Sequence, residues 1–332
     1  MRGTPLKPLR RRTLAALAIV SATLAMPVLA QAQTTPKFPT RAVKIIVGYS
    51  AGTTSDVFAR IVAQRLSDRW AQPVIVENRD GAAGSIGADL VAKAAPDGYT
   101  LHLTSNAFTL GPLLRKQLPY DPFNDFVALT QVAQTPNILL VGPNLGVKDL
   151  KGYLELAKSG KLQYASSGRG TPSHITVELF KSMANVSIEE IPYKSSGQAL
   201  TDTLSGQVSL NAPGIAQGLP FVRGGRAVAL GITGSKRAPG AADIPTLAEA
   251  GVPGYEAYGW HGVFAPAKTP VEIVRFLESE LRAVLSTAEA RETFAKSGAE
   301  VVAGTSAEFT AFLRTDFTKW KKLFGQLAIQ PE

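Results

Sequence analysis

The sequence has no cysteine in 332 residues, which excludes disulfides, thiolate metal sites and cysteine nucleophiles together. Histidine is nearly absent. His102, His174 and His261 stand far apart and match no metal-ligand spacing, so no metal site is expected. Cofactor signatures are missing as well: neither G-x-x-x-x-G-K-[ST] nor G-x-G-x-x-G follows a strand-like segment. No basic stripe interleaved with aromatics runs through the chain. The cluster Lys319, Lys321 and Lys322 reads as one solvated helix face, and no nucleic-acid partner is expected. Past the first thirty residues there is no apolar run long enough to span a bilayer.

Acids are missing from the first 32 residues, and what stands there instead has the three parts of a secretory signal. A basic region carries Arg2, Lys7, Arg10, Arg11 and Arg12. An apolar run from Thr13 to about Leu29 follows, broken by Pro27, and Ala30-Gln31-Ala32 fits the small-x-small cleavage rule, with Val28-Leu29-Ala30 as a competing site. Residues 1–32 are therefore expected to be a signal peptide, directing the remainder out of the cytoplasm. Without them the chain holds 30 basic against 26 acidic residues, a net charge of +4 in place of +9. Much of the apparent basicity belongs to the export segment. About 300 remaining residues can bury a large core, and that length favours two lobes over one.

The first third alternates strand and helix. Val43–Val47 is a short β-branched run, Asp56–Trp70 has helical spacing, Pro73–Glu77 is a strand, Gly84–Ala95 a small-residue helix and Tyr99–Thr104 a third strand. Such alternation implies right-handed crossovers and a parallel sheet. The middle third repeats the pattern. Strands are expected at Ile138–Val141, Gln163–Ala165, Glu189–Pro192, Val208–Leu210 and Ala227–Ile232, with helices at Leu150–Ser159, Thr171–Met183 and Ser196–Leu204. Thr171 reads as an N-cap with Pro172 in the first helical position. The last third is helical, with capping boxes predicted at Thr269-Pro270-Val271-Glu272 and Thr305-Ser306-Ala307-Glu308.

In open parallel sheets ligands bind at the carboxyl ends of strands, where loops meet helix N-termini. Three loops of this kind are rich in Gly, Ser and Thr: Gly48–Asp56, Ser166–His174 and Tyr193–Gly197. Small and hydroxyl residues let backbone N–H groups approach an anion, and the helix dipole favours negative charge there. The first loop also spells G-x-S-x-G at Gly48–Gly52, the pattern of a serine nucleophile elbow. A hydrolase would use Ser50 with His261 and a later Asp. Against that, only about fifteen residues separate the expected cleavage site from this loop, and no oxyanion-loop segment precedes it. No catalytic residue is therefore expected. His174, beside a Gly-rich loop without a nucleophile partner, is read as binding or structural.

These residues resemble the Bug proteins, the TctC-like solute receptors of tripartite tricarboxylate transporters. The resemblance rests on Phe38-Pro39-Thr40-Arg41, Val76-Glu77-Asn78-Arg79 with Gly81, Gly84 and Gly87, and Ala95-Pro96-Asp97-Gly98-Tyr99-Thr100. It continues through Leu118-Pro119-Tyr120-Asp121-Pro122, Ser167-Gly168-Arg169-Gly170-Thr171 with His174, Pro192-Tyr193-Lys194, Pro245–Gly251, Trp260-His261-Gly262 and Ala265-Pro266-Ala267. It implies an α/β, two-lobed periplasmic binding protein of type II, with parallel-type sheets flanked by helices and a ligand cleft between lobes. Lobe 1 would comprise residues 33–135 plus 260–332 and lobe 2 residues 136–259, with crossings near 133–137 and 256–261. Ligand-binding residues implied by the resemblance are Tyr49, Ala51, Gly52, Thr53, Thr54 and Asp56, then Ser167, Gly168, Thr171 and His174, flanked by Ser105 and Tyr193. The ligand would be a small organic carboxylate, held without a cofactor by a monomer that meets integral membrane transporter subunits transiently. A receptor feeding a sensor is the alternative. Two departures from the family pattern stand out: Gly48 and Thr53 replace a Pro and a Gly in the first loop, and Ser209 stands where an acid able to meet a ligand amine is common.

Overall fold

The computed structural model describes residues 1–3 and 38–331, so nearly all of the expected export signal lies outside the described residues. The chain runs through β1 (Val43–Val47), α1 (Thr54–Trp70), β2 (Val74–Asn78), α2 (Ser85–Ala92), β3 (Thr100–Ser105), α3 (Ala107–Leu114) and β4 (Phe126–Pro136). It continues into β5 (Ile138–Val141), α4 (Leu150–Ser159), β6 (Leu162–Ser166), α5 (Pro172–Ala184) and β7 (Ile188–Pro192). Then follow α6 (Ser196–Ser205), β8 (Leu210–Asn211), α7 (Ile215–Arg223), β9 (Val228–Ile232) and α8 (Leu247–Ala250). The last stretch holds β10 (Tyr258–Pro266), α9 (Val271–Leu285), α10 (Ala288–Lys296), β11 (Glu300–Val301) and α11 (Ser306–Gln326).

The strands form two sheets, of order β11-β4-β10-β3-β1-β2 and β7-β6-β8-β5-β9. In the first, β1 pairs in parallel with β2 and β3, and its apolar side chains are buried on both faces, as a sheet interior covered by helices demands. In the second, β6 pairs in parallel with β7 and β8. The sheets are mixed, the expected parallel pairings being joined by antiparallel strands. β10 is antiparallel to both β3 and β4, and β5 is antiparallel to both β8 and β9. The reason lies in the path of the chain. Strand β4 runs out of the first sheet straight into β5 of the second, and β10 runs back beside it, so each sheet receives one strand from the other side. The two passing strands share a long ladder, from Tyr258 opposite Pro136 to Pro266 opposite Phe126.

Helix signals mostly hold, with instructive exceptions. The capping box at Thr305 and Glu308 forms in full. The one expected at Thr269 does not: Pro270 takes the N-cap position, and the Thr269 hydroxyl is buried with no partner among the described residues. The Pro270 carbonyl accepts the first helical bonds, from Ile273 and Val274, which puts Thr269 one residue too early to cap. Helix α2 starts at Ser85 rather than Gly84, because Gly81, Ala82, Ala83 and Gly84 all have positive φ and cannot continue a right-handed helix.

The first sheet packs on an aromatic core of Phe108, Tyr120, Phe126, Trp260, Phe264 and Phe309. The second buries aliphatic residues of β5, β6 and β9 with Tyr153 and Tyr164. A further cluster joins α3, α5 and α11 through Leu110, Leu114, Ile175, Trp320 and Phe324. All these elements belong to one compact unit. Among the described residues no helix is long and apolar enough to cross a membrane.

Candidate functional site

A cavity of about 480 Å³ lies where the loops at the carboxyl ends of the parallel strands of both sheets meet. The loops after β1 and β2 and the end of β3 form one side. The loops after β6, β7 and β8 form the other. The two sides touch around the cavity through residues without side chains: a Cβ placed on Gly168 would lie 3.6 Å from that of Ala83, and one on Gly214 would lie 3.0 Å from the Thr54 hydroxyl.

Close backbone packing sets the first loop. A Cβ on Gly48 would fall 2.8 Å from the Gly84 Cα, and one on Gly87 would fall 2.8 Å from the Gly48 Cα. Glycine at both positions lets the β1 end lie against the start of α2, which aims the Tyr49 ring over Gly84. The Tyr49 hydroxyl accepts from Ser105 at 3.0 Å, leaving its own O–H as a donor, and burial pushes that phenol up from its ordinary range. Thr53 is the N-cap of α1. Its hydroxyl accepts from the Asp56 amide at 3.4 Å and donates to the Ser50 carbonyl at 2.9 Å.

Asp56 is buried behind this loop. Its carboxylate accepts from Gly52 N at 2.9 Å, Asn78 Nδ2 at 2.9 Å and Arg60 Nε at 3.1 Å. Burial alone would raise its pKa, but the bonds from Arg60, Gly52 and Asn78 outweigh it and hold the group below the usual carboxylate range. Ala51, Gly52 and Asp56 thus lie off the cavity wall, while Tyr49, Thr53 and Thr54 lie on it.

The second loop is folded on itself by hydroxyls. Thr171 has the backbone of an N-cap, yet its Oγ1 does not cap the helix; it closes the loop by donating to the Gly168 carbonyl at 2.5 Å. Ser173 Oγ instead accepts from the Ser167 amide at 3.0 Å. Pro172 has no N–H and the His174 amide donates to the Thr171 carbonyl at 3.0 Å, so at the start of α5 the Ser173 amide is left without a side-chain cap, a place suited to an anion. His174 lies behind the wall. Its Nδ1 accepts from the Gly170 amide at 3.2 Å, which puts the proton on Nε2, 3.7 Å from Glu190. Burial, with Arg169 and Lys181 nearby, lowers its pKa to about 3, so the ring is neutral and holds the loop in place. Ser105, Ser167, Gly168, Thr171 and Tyr193 all line the cavity.

Several wall residues carry no local signal in the sequence. Arg115, Asn137 and Gln217 come from a helix end, a strand junction and a helix interior. Asn137 is locked where β4 passes into β5: its backbone amide donates to the Thr233 hydroxyl at 2.7 Å and its Nδ2 donates to the Ala212 carbonyl, while its Oδ1 has no hydrogen-bond partner among the described residues. The Asp80–Gly84 stretch was legible by the same strand-loop-helix rule applied to β2. Ser209 faces the strand beside it, its hydroxyl accepting from the Gln163 amide at 3.3 Å, and does not line the cavity.

The apparent serine elbow assembles no triad. Ser50 Oγ donates to Asp80 at 3.0 Å, and His261 packs edge-on against Phe58 with burial lowering its pKa to about 3. Among the described residues no cluster of His, Asp or Glu is placed to hold a metal ion.

The family model described as tripartite tricarboxylate transporter family receptor matches residues 58–329. The chain belongs to this receptor family. Solved structures agree with it closely. An R. palustris protein with adipate superposes with a TM-score of 0.86 at 34% identity, covering 89% of this chain and 100% of that one. The periplasmic binding protein BugD gives 0.83 at 30% identity, covering 89% and 100%. MatC from Rhodopseudomonas palustris with bound malate gives 0.80 at 29% identity, covering 86% and 99%. The receptor therefore has the Bug-type binding-protein fold, and the family and its solved neighbours are substrate-binding receptors, not enzymes.

Proposed function

We propose that this receptor works in the periplasm, where it captures a small organic carboxylate in the cavity and delivers it to integral membrane transporter subunits. The observation that carries the reading is the convergence of three helix-start loops, after β1, β6 and β7, on one cavity. The uncapped start of α5, the α1 start and the Tyr49 hydroxyl offer backbone and side-chain donors to one anionic group. Adipate and malate in the neighbouring structures support a carboxylate as that group. In this reading Tyr49, Thr53, Thr54, Ser105, Ser167, Gly168, Thr171 and Tyr193 contact ligand, and Asp56 and His174 hold the loops that do. Residues 33–135 with 260–332, and residues 136–259, act as two lobes that close by bending where β4 and β10 pass between the sheets. The ligand selects the closed arrangement by its differential affinity. Residues 1–32 serve as the export signal.

The test is a thermal-melt screen of the mature protein over mono-, di- and tricarboxylates, with sugars and amino acids as controls. A true ligand at a hundredfold excess over its Kd should stabilise the fold by about 2.7 kcal/mol. Stabilisation by the control solutes and by none of the carboxylates would overturn the assignment.

A further inference from the structure

Four basic side chains among the described residues are half-buried: Arg65, Arg115, Arg169 and Lys181. Three of them face a carboxylate. Arg65 lies 3.4 Å from Glu289, Arg169 3.6 Å from Glu190 and Lys181 2.7 Å from Glu178. Arg115 is the exception: among the described residues no carboxylate comes within the 4.0 Å of an ion pair. Its Nη1 donates to the Ala82 carbonyl and the Ser85 hydroxyl, both uncharged. A guanidinium carries five N–H donors in a planar fork, so those on Nε and Nη2 remain to be matched.

The position of Arg115 is held firmly. Ala82 and Ala83 adopt left-handed backbone at φ 47° and 49°, a conformation that L-residues with a Cβ adopt rarely and at a strain. That turn presents the Ala82 carbonyl to Arg115 and so sets where the guanidinium sits in the cavity wall. Arg115 also lines a second cavity of about 580 Å³, whose other charged lining residues are Lys116 and Arg169, with no acid. On the ligand-cavity wall itself the charged residues are Arg115, Lys194 and Asp80, and Asp80 is exposed and accepts from the Ser50 hydroxyl. A partly desolvated charge without a counter-charge is unfavourable, and the planar fork of Arg matches a carboxylate in bidentate fashion. Lys194, also on the wall, is exposed and solvated, and needs no such partner.

We infer that Arg115 forms a second anion subsite, and that the ligand is a dicarboxylate whose far carboxylate pairs with it. This rests on the carboxylate reading above and narrows it to a substrate class. Arg115 is then the residue that sets the preference for two charges over one.

The experiment is calorimetric titration of wild type and Arg115→Gln with glutarate and adipate, against pentanoate and hexanoate of the same chain lengths. Wild type should bind each dicarboxylate at least about tenfold tighter than its monocarboxylate, the usual worth of a charge-assisted pair. Arg115→Gln should lose that factor for dicarboxylates and leave monocarboxylate affinity within about threefold. Equal loss for both ligand types, or no loss for either, overturns the subsite. Should the variant fail to fold, the wild-type ratio decides, a value below about threefold overturning the inference. Binding of neither ligand type to wild type would instead sink the carboxylate reading, and this inference with it.

Discussion

At the scale of single residues, the site is built by giving nearly every polar group a fixed task. Thr53 and Thr171 occupy the same position before a helix and both donate to the carbonyl three residues back, of Ser50 and Gly168, yet only Thr53 also accepts from an amide of its helix. In α5 the first residue, Pro172, has no N–H and the His174 amide turns to the Thr171 carbonyl, which leaves the Ser173 amide without a side-chain cap. Tyr49 is different again, because its oxygen accepts from Ser105 and its proton is left to donate. Replacing it by Phe removes one donor to a carboxylate and keeps the ring over Gly84. Tyr49→Phe should therefore weaken ligand by about 0.5–1.5 kcal/mol, roughly threefold to tenfold, with an unliganded melting temperature close to wild type. Titration with whichever carboxylate stabilises the wild type reads this out; an unchanged affinity would remove Tyr49 from the ligand contacts.

Among the elements, two predicted helix starts behaved differently under the same sequence pattern. Thr305-x-x-Glu308 forms a reciprocal capping box, whereas Thr269-x-x-Glu272 is displaced by Pro270 at the N-cap. Thr305→Ala should cost about 1 kcal/mol in urea unfolding, since it strips a cap from the long C-terminal helix. Thr269→Val, by contrast, replaces a buried hydroxyl without a partner by a methyl of the same shape, and should leave stability within about 0.5 kcal/mol or raise it. Equal destabilisation by the two changes would contradict the capping assignment. Gly87→Ala probes the contact between the β1 end and α2. Its Cβ would sit 2.8 Å from backbone that cannot move aside, and overpacking of this kind costs about 1–3 kcal/mol.

Viewed as a whole molecule, the protein has all three histidines buried, and burial depresses each. His102 falls to about 4, and His174 and His261 to about 3. Unfolded, each would titrate near about 6.5. The unfolded chain therefore binds more protons than the folded one at mild acidity. Their stabilising contribution is complete above the unfolded value and is lost as the pH falls below about 6.5 towards 4. Between pH 7 and 5 the loss should be roughly 2 kcal/mol for each histidine. Glu190 and Asp316, raised by burial, act in the opposite sense, and comparison with a histidine variant isolates the histidine part. Urea midpoints at pH 7, 6 and 5 provide the check. His102→Phe should flatten the slope by about one proton, and a pH-independent midpoint would show that the histidines do not carry it.

The sequence alone determined the local parts. Buried strands such as Val43–Val47, the alternation with helices, and the Gly-, Ser- and Thr-rich loops at strand ends are written in short-range patterns of size, branching and polarity. Those patterns depend only on neighbours a few residues away, and so do the resemblance motifs that name the family. Eight of the nominated site residues fell on one cavity because all of them sit at strand-to-helix junctions, which a parallel sheet gathers on one edge. Only the tertiary structure decided the rest. Strands β4 and β10 are antiparallel because the chain passes between the sheets and back, a fact of path that no local pattern encodes. Arg115 and Asn137 reach the wall from segments far apart in sequence. The charge of Arg115 gains meaning only because, among the described residues, folding brings three comparable cations to carboxylates and leaves this one facing the cavity.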